Sequence, residues 1–303
     1  MPSWFDKLLD FVFPSPSGGE KKLRNAAPET RWKRIGQSDG TVTFRLASWS
    51  SYFDFLEAEV FKPTLPSKQN YIWRGQRRSN WSLSSSLDRL FQSLDFLAEA
   101  ENILEKRSET HLQSFKRASR GRRGLNPVNL TDKNDWWALG QHFGLATPLL
   151  DWTRSPFAAA YFAFEERSSN ATDYRIVYGL DQNAVLQKND ELTNGPSQEK
   201  GRPPTLDFID PMLDENQRLL SQDGLFTRAP IGIPIEQWIA RAFEGSASAV
   251  LLRIEIPDLD RLTCLQALNR MNINHLSLFP DLIGASRSTN LKLELGNRGY
   301  EEL

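Results

Sequence analysis

The sequence predicts an α+β domain preceded by a short appendage, and three observations carry that reading. Two segments alternate as half-buried strands do: Tyr174-Arg175-Ile176-Val177-Tyr178, and Val250-Leu251-Leu252-Arg253-Ile254-Glu255-Ile256, whose even positions are all apolar and which Pro257 ends. Strand-like and helix-like stretches are intermixed without the regular βαβ rhythm that a doubly wound parallel sheet requires. Neither an internal repeat nor a Gly-rich nucleotide fingerprint is present.

At 303 residues, 39% hydrophobic and 25% charged, the chain can bury a substantial core. Lys and Arg number 37 against 38 Asp and Glu, which excludes a global field for nucleic acid or an anionic membrane and leaves only local patches. Cys264 is the one cysteine, so no intrachain disulfide forms, in keeping with a reducing compartment; a cytoplasmic protein is expected. His111, His142 and His275 are far apart in sequence and share no metal-ligand spacing, so no metal site is expected. No run approaches the ~20 apolar residues of a spanning helix, so no membrane partner is expected either.

Residues 1–40 read as an N-terminal amphipathic helix and flexible linker, with the domain proper at 41–303. Trp4, Phe5, Leu8, Leu9, Phe11, Val12 and Phe13 are interrupted by Asp6, Lys7 and Asp10 and followed by no small-residue cleavage site, which suits a short helix and not a signal peptide. Pro14-Ser15-Pro16-Ser17-Gly18-Gly19 is a flexible break. The helix either docks elsewhere or packs on its own domain. Within the domain, the pattern predicts helices near 49–61, 94–115, 156–166, 214–222, 234–243 and 257–271, and short strands at 71–73 and 147–151.

Three segments gather residues that are costly to place together. In Trp73-Arg74-Gly75-Gln76 an arginine ends an apolar strand, where its guanidinium must be paired. It either clamps a carboxylate such as Asp151 or binds a ligand, and the two are compatible. In the run from Trp136 to Pro156, Gly144 can close a helix and Ser155-Pro156 has the cap-then-proline order of a helix start. That delivers Asp151, Trp152 and Thr153 at a strand-to-helix turn, where free N–H groups favour an anion. Gln141 and His142 precede it; His142 is either a core histidine bonded to backbone or a cleft residue. The helix after Pro156, with Tyr161 in Ala158-Ala159-Ala160-Tyr161-Phe162-Ala163, is apolar nearly all round and therefore buried. In the third segment Gln222-Asp223-Gly224 leads a helix into a strand, and its amide is either a solvated helix stop or part of the same cleft. Lys116, Arg117, Arg120, Arg122 and Arg123 form a basic run without an acid, either a solvated loop or a contact for nucleic acid or a phosphate-bearing partner.

Taken together, these motifs resemble the FRG domain family, named for Phe-Arg-Gly, with Trp73 here in the Phe position. The resemblance extends over Ser84 to Arg89, Gln141-His142-Phe143-Gly144, Thr147-Pro148-Leu149-Leu150-Asp151-Trp152-Thr153, Pro156 to Ala163, Gln222 to Thr227 and Ser277 to Leu282. In motif order the family is similar to the ADP-ribosyltransferases, which implies a split antiparallel or mixed sheet with surrounding helices and NAD as substrate. The resemblance puts Arg74 in the first catalytic position, Thr153 with the helix after it in the second, and Asp281 or Gln222 in the third. It implies NAD binding by Trp73, Arg74, Gly75, Gln76, Gln141, His142, Asp151, Trp152, Thr153 and Tyr161. It implies an enzyme that transfers ADP-ribose to a protein or nucleic acid, in the manner of a toxin or defence effector. The alternative is a non-catalytic module that binds a nucleotide or phosphate in the same cleft.

Overall fold

The computed structural model describes residues 31–61, 70–124, 127–167, 173–194, 204–211 and 220–296. The amphipathic helix expected at the N-terminus and most of the helix expected at 214–222 lie outside the described residues. Eight strands form one mixed sheet, a frame consistent with the α+β reading: β1 (Trp32–Ser38), β2 (Thr41–Leu46), β3 (Tyr71–Gln76), β4 (Leu150–Thr153), β5 (Tyr174–Asp181), β6 (Asp207–Ile209), β7 (Gly224–Arg228) and β8 (Leu251–Pro257). Their order is β1-β2-β8-β5-β3-β4-β7-β6, and only β2 and β8 run parallel.

One junction is thin. β3 pairs with β5 along its whole length, from Tyr71↔Asp181 to Gln76↔Ile176, but with β4 through the single pair Trp73↔Thr153. Beyond that pair the two strands separate, so the sheet is nearly split between a five-strand part and a three-strand part. The backbone groups of Arg74, Gly75 and Gln76 on that side carry no ladder to β4, and a cleft opens there.

The first part begins earlier than the sequence reading placed it. Residues 32–38, assigned there to the linker, are the edge strand β1. Asp39 and Gly40 join it to β2 with φ of 42° and 77°, and Ser38 pairs directly with Thr41. Asp-Gly with both φ positive is the two-residue turn whose twist matches that of the strands it connects.

Helices cover both faces. On one lie α1 (Tyr52–Phe55, continuing as a π-turn to Val60), α5 (Pro156–Phe164) and α8 (Arg261–Arg270), packed on Trp73, Val177, Leu252, Ile254 and Ile256. The apolar even positions of β8 all face this side. On the other face α6 (Gln182–Asn194) and α7 (Ile235–Ala242) cover Ile72, Trp152, Ile176 and Leu251. A satellite core holds α2 (Ser86–Ser93), α3 (Glu101–Ala118) and α4 (Lys133–His142) against Leu149 and Phe226. The helix expected at 94–115 thus starts later, after a short 3-10 turn at Phe96–Ala98, and the strand expected at 147–151 is shifted to β4. The short α9 (His275–Leu278) and the 15-residue α10 (Leu282–Gly296) are the last described elements.

The central contact is α5 on β3. Ser155 caps the helix, its Oγ accepting from Ala158 N–H at 3.2 Å, and Pro156 occupies the first turn. A Cβ on Gly75 would lie 1.9 Å from the Ala159 carbonyl oxygen and 2.5 Å from Ala163 N, so helix backbone rests directly on strand backbone. Gly179, opposite Trp73 in the ladder, likewise leaves room for the indole, since a Cβ there would meet the ring at 2.8 Å. The far end of α5 has no glycine cap. Two arginines take its last carbonyls instead: Arg175 Nη1 donates to Ala163 O at 2.9 Å and Glu166 O at 3.0 Å, and Arg261 donates to Phe164 O at 2.8 Å and Glu165 O at 2.6 Å. Arg175 is fully buried and held by Asp258, and Arg261 by Glu294.

Two consequences are measurable by urea unfolding. Gly75→Ala, whose methyl meets backbone and not a flexible side chain, should cost about 3 kcal/mol or more, at or above the usual range for overpacking. Arg175→Met, which strands the Asp258 carboxylate and the Ala163 and Glu166 carbonyls, should cost about 3 kcal/mol, the lower end for a broken buried pair because Asp258 keeps some contact with water.

Candidate active site

The cleft beside the β3–β4 junction has a volume of about 600 Å³. Trp73, Arg74, Gly75 and Gln76 supply one wall from β3, and Asp151, Trp152 and Thr153 supply the other from β4, with Gln222 beyond them. The structure therefore brings together eight of the residues singled out in the sequence. It places Gln141, His142, Tyr161 and Asp281 outside that lining.

Arg74 donates through Nη1 to the Asp151 backbone carbonyl at 2.6 Å, and the same nitrogen is 3.7 Å from Asp151 Oδ2. The anticipated Arg74–Asp151 pair is thus mainly a bond to backbone, which ties β4 to β3 where their own ladder stops. The Asp151 carboxylate stays largely exposed, and Gln141 Nε2 holds Oδ1 at 2.7 Å. The Gln141 amide oxygen accepts from the buried Thr147 hydroxyl, so Gln141 acts one bond behind the cleft.

Thr153 and Trp152 are more structural than the motif order implies. The Thr153 hydroxyl donates to the Gln222 carbonyl at 2.6 Å and accepts from Ser155 N–H at 3.1 Å, so it ties β4 to the chain before β7 and shapes the start of α5. The Trp152 indole is buried and donates to Thr227 Oγ1 at 2.8 Å, and the Trp73 ring is buried against Gly179; neither ring face is free to stack on a ligand. Gln222 directs its amide nitrogen to the Leu278 carbonyl at 3.1 Å. Asp281 is the helix cap of α10, accepting from Gly284 N–H at 2.9 Å. His142 packs edge-on against Phe143, with ring centroids 4.9 Å apart, and Tyr161 is buried in the core with its ring edge on His275.

Several cleft residues were not among the site residues assigned from the sequence. Arg77 and Arg89 join Arg74, and Glu165 and Glu166, just after α5, face them. Trp81, 41% exposed, lies at the mouth with the Arg77 and Arg78 guanidinium carbons 5.2 and 5.5 Å from its ring centroid; Phe162 and Phe279 offer further aromatic surface. The signal for the acids was the pair that ends an otherwise apolar helix, and for Arg77 its position two residues beyond Gly75.

The electrostatics are unbalanced at both ends. Burial lowers the Arg74 pKa; Asp151 opposes the drop and the nearby Arg89 adds to it. Two cations that repel one another in a cleft favour an anion between them. At the other end burial, and then Glu166, pushes the Glu165 carboxyl up to about 7. His275 Nε2 is 3.8 Å from Glu165 Oε2, but burial, and then Arg287, brings the imidazole down to about 4, so it is neutral at pH 7 and the contact is not an ion pair. Arg74 Nε, Gln76 Oε1 and Glu165 Oε2 are all buried without a hydrogen-bond partner. Gln76 Nε2 is engaged by the Ser82 carbonyl at 3.1 Å, which leaves its oxygen as the unused end. Buried polar groups are nearly always paired, so three unpaired ones in one cleft mark where a ligand would bind.

Elsewhere, the basic run sits at and after the C-terminal end of α3, where the helix dipole favours cations. Lys116 and Arg123 lie 5.3 and 4.9 Å from the Trp136 ring centroid, and Arg122 donates to the Ala118 carbonyl. Among the described residues no cluster of three or more His, Cys, Asp or Glu side chains could hold a metal, and no helix is long and apolar enough to cross a membrane.

No curated protein and no solved structure matches the chain. The family model of the FRG domain matches residues 69–172. The match to the FRG domain is confined to residues 69–172, and those residues hold β3, α5 and every arginine and glutamate that lines the cleft.

Proposed function

We propose that the cleft binds NAD and that the chain is an ADP-ribosyltransferase-like enzyme, which breaks the bond between nicotinamide and ribose and passes ADP-ribose to a macromolecule. The observation that supports this most is the polarity of the cleft, with Arg74, Arg77 and Arg89 facing Glu165 and Glu166. NAD has the matching polarity, a pyrophosphate at one point and a pyridinium at another. Guanidinium forks suit phosphate oxygens. Positive charge builds on the ribose as nicotinamide leaves, and a carboxylate fixed beside it stabilises that transition state. Trp81, Phe162 and Phe279 offer faces for the rings. The volume lies within the ~300–1,000 Å³ of small-molecule sites. Such transfer, directed at an essential macromolecule, is the chemistry of a toxin or phage-defence effector.

A second reading, a nucleotide- or phosphate-binding module without turnover, draws support from the Thr153 hydroxyl being engaged by backbone on both sides and from Asp281 serving as a helix cap. Nicotinamide release separates the two readings.

NAD at 100 times its dissociation constant should stabilise the native protein by about 2.7 kcal/mol, visible as a rise in melting temperature. Arg74→Ala should weaken that binding at least tenfold, about 1.4 kcal/mol. Its urea midpoint must be measured alongside, because the same side chain ties β4 to β3. Millimolar NAD with no melting shift and no nicotinamide release would overturn the enzyme reading, and a shift without release would favour the binding module.

A further inference from the structure

Glu165 has no structural task that explains its place. It follows the last turn of α5 with its side chain 15% exposed, and its Oε2 is buried without a hydrogen bond. The cations around it are committed elsewhere or stand off. Arg261, from α8, is spent on the carbonyls of Phe164 and Glu165 and on Glu294. Arg77, from the loop after β3, bridges to Glu166. Arg287, from α10, acts on it only at a distance, and its remaining titratable neighbours are His275 of α9 and Tyr161 of its own helix. An isolated carboxylate oxygen is costly to bury, and here it borders the cleft that the arginines define.

We infer that Glu165 is the proton acceptor of the cleft, and that the group attacking the bound nucleotide is a hydroxyl, water included, rather than a carboxylate or phosphate. This rests on the proposed NAD chemistry. In the step, the C–N bond between ribose and nicotinamide breaks and its electron pair leaves with the ring nitrogen, which neutralises the pyridinium. The hydroxyl oxygen forms the new C–O bond, and its proton passes to Glu165, so charge and atoms balance without a further reactant. A carboxylate acceptor has no proton to give, and either anion would bring further negative charge beside Glu165 and Glu166. A base whose pKa lies near neutral pH is suited to this transfer.

The test uses the full chain with NAD, and with methanol, acetate or inorganic phosphate as small acceptors. Glu165→Gln should keep the NAD-induced melting shift while nicotinamide release and the methanol adduct fall at least about 100-fold. The wild-type rate should climb as pH rises through about 7 and then level, a limb absent from the residual activity of the Gln variant. Glu165→Asp, which retains a carboxylate, should recover part of the rate together with the pH limb, a pattern that a purely structural role would not produce. Stability gives a separate sign. Because the folded pKa is raised, the ionised group opposes folding above about pH 7 and has no such effect below the ordinary glutamate range, where it is protonated in both states. Glu165→Gln should therefore melt higher than wild type at pH 8 and match it at pH 4. Turnover and a pH profile unchanged in Glu165→Gln would remove Glu165 while leaving NAD cleavage standing. Acetate or phosphate adducts formed as readily as the methanol adduct would overturn the acceptor class. Absence of NAD binding and cleavage in wild type would overturn the proposed function, and this inference with it.

Discussion

The approach of α5 to β3 is the constraint on which the rest depends. With no side chain at Gly75, helix backbone reaches strand backbone, and the small alanines of α5 let α8 and α1 close over the outer side. That contact also sets where the helix ends. Arg175 and Arg261 hold its last carbonyls from β5 and α8, so the chain leaves α5 at one height above the sheet and Glu165 and Glu166 project toward the arginines that follow β3. A helix that ended in a glycine cap could fray by a turn; one held by two buried guanidiniums is much less free to do so.

The thin β3–β4 junction supplies the second half of the arrangement. A complete ladder would cover the backbone beyond Arg74 and leave no cleft. Here one pair of residues joins the two parts of the sheet, and side chains extend the joint: Arg74 to the Asp151 carbonyl, Thr153 to the Gln222 carbonyl. The cost is a set of buried polar atoms without partners, Arg74 Nε, Gln76 Oε1 and Glu165 Oε2, gathered in the same opening. Arg77 and Glu166 neutralise one another directly, while Glu165 is left without such a bridge. Local departures from full satisfaction of this kind are found where a fold gives up stability for a site.

The turn before α5 was legible because its signals are short in range. A serine followed by proline starts a helix through contacts within three residues, and a glycine with φ of 86° at Gly144 closes one in the same way. Asp39-Gly40 belongs to the same class of signal, and its neglect is what misplaced β1 in the linker. Asp281 shows the converse: an acidic residue three positions before a helical N–H has a local use, as a cap, that competes with any catalytic role read from motif order alone.

By itself the sequence determined the α+β class, the strands at 174–178 and 250–256, the buried α5 and the need of Arg74 for a partner, without deciding which. Each follows from hydrophobic period, turn chemistry or the need of a buried guanidinium for a partner. Tertiary structure alone decided that Arg89 stands beside Arg74, that Glu165 is desolvated while Glu166 is bridged, and that Trp73 and Trp152 give their rings to the core while Trp81 faces the opening. Those outcomes depend on strand order and on where two strands part. A charged or aromatic residue carries the same local propensities whichever way it is turned, and only the packing around it sets its solvation and its neighbours.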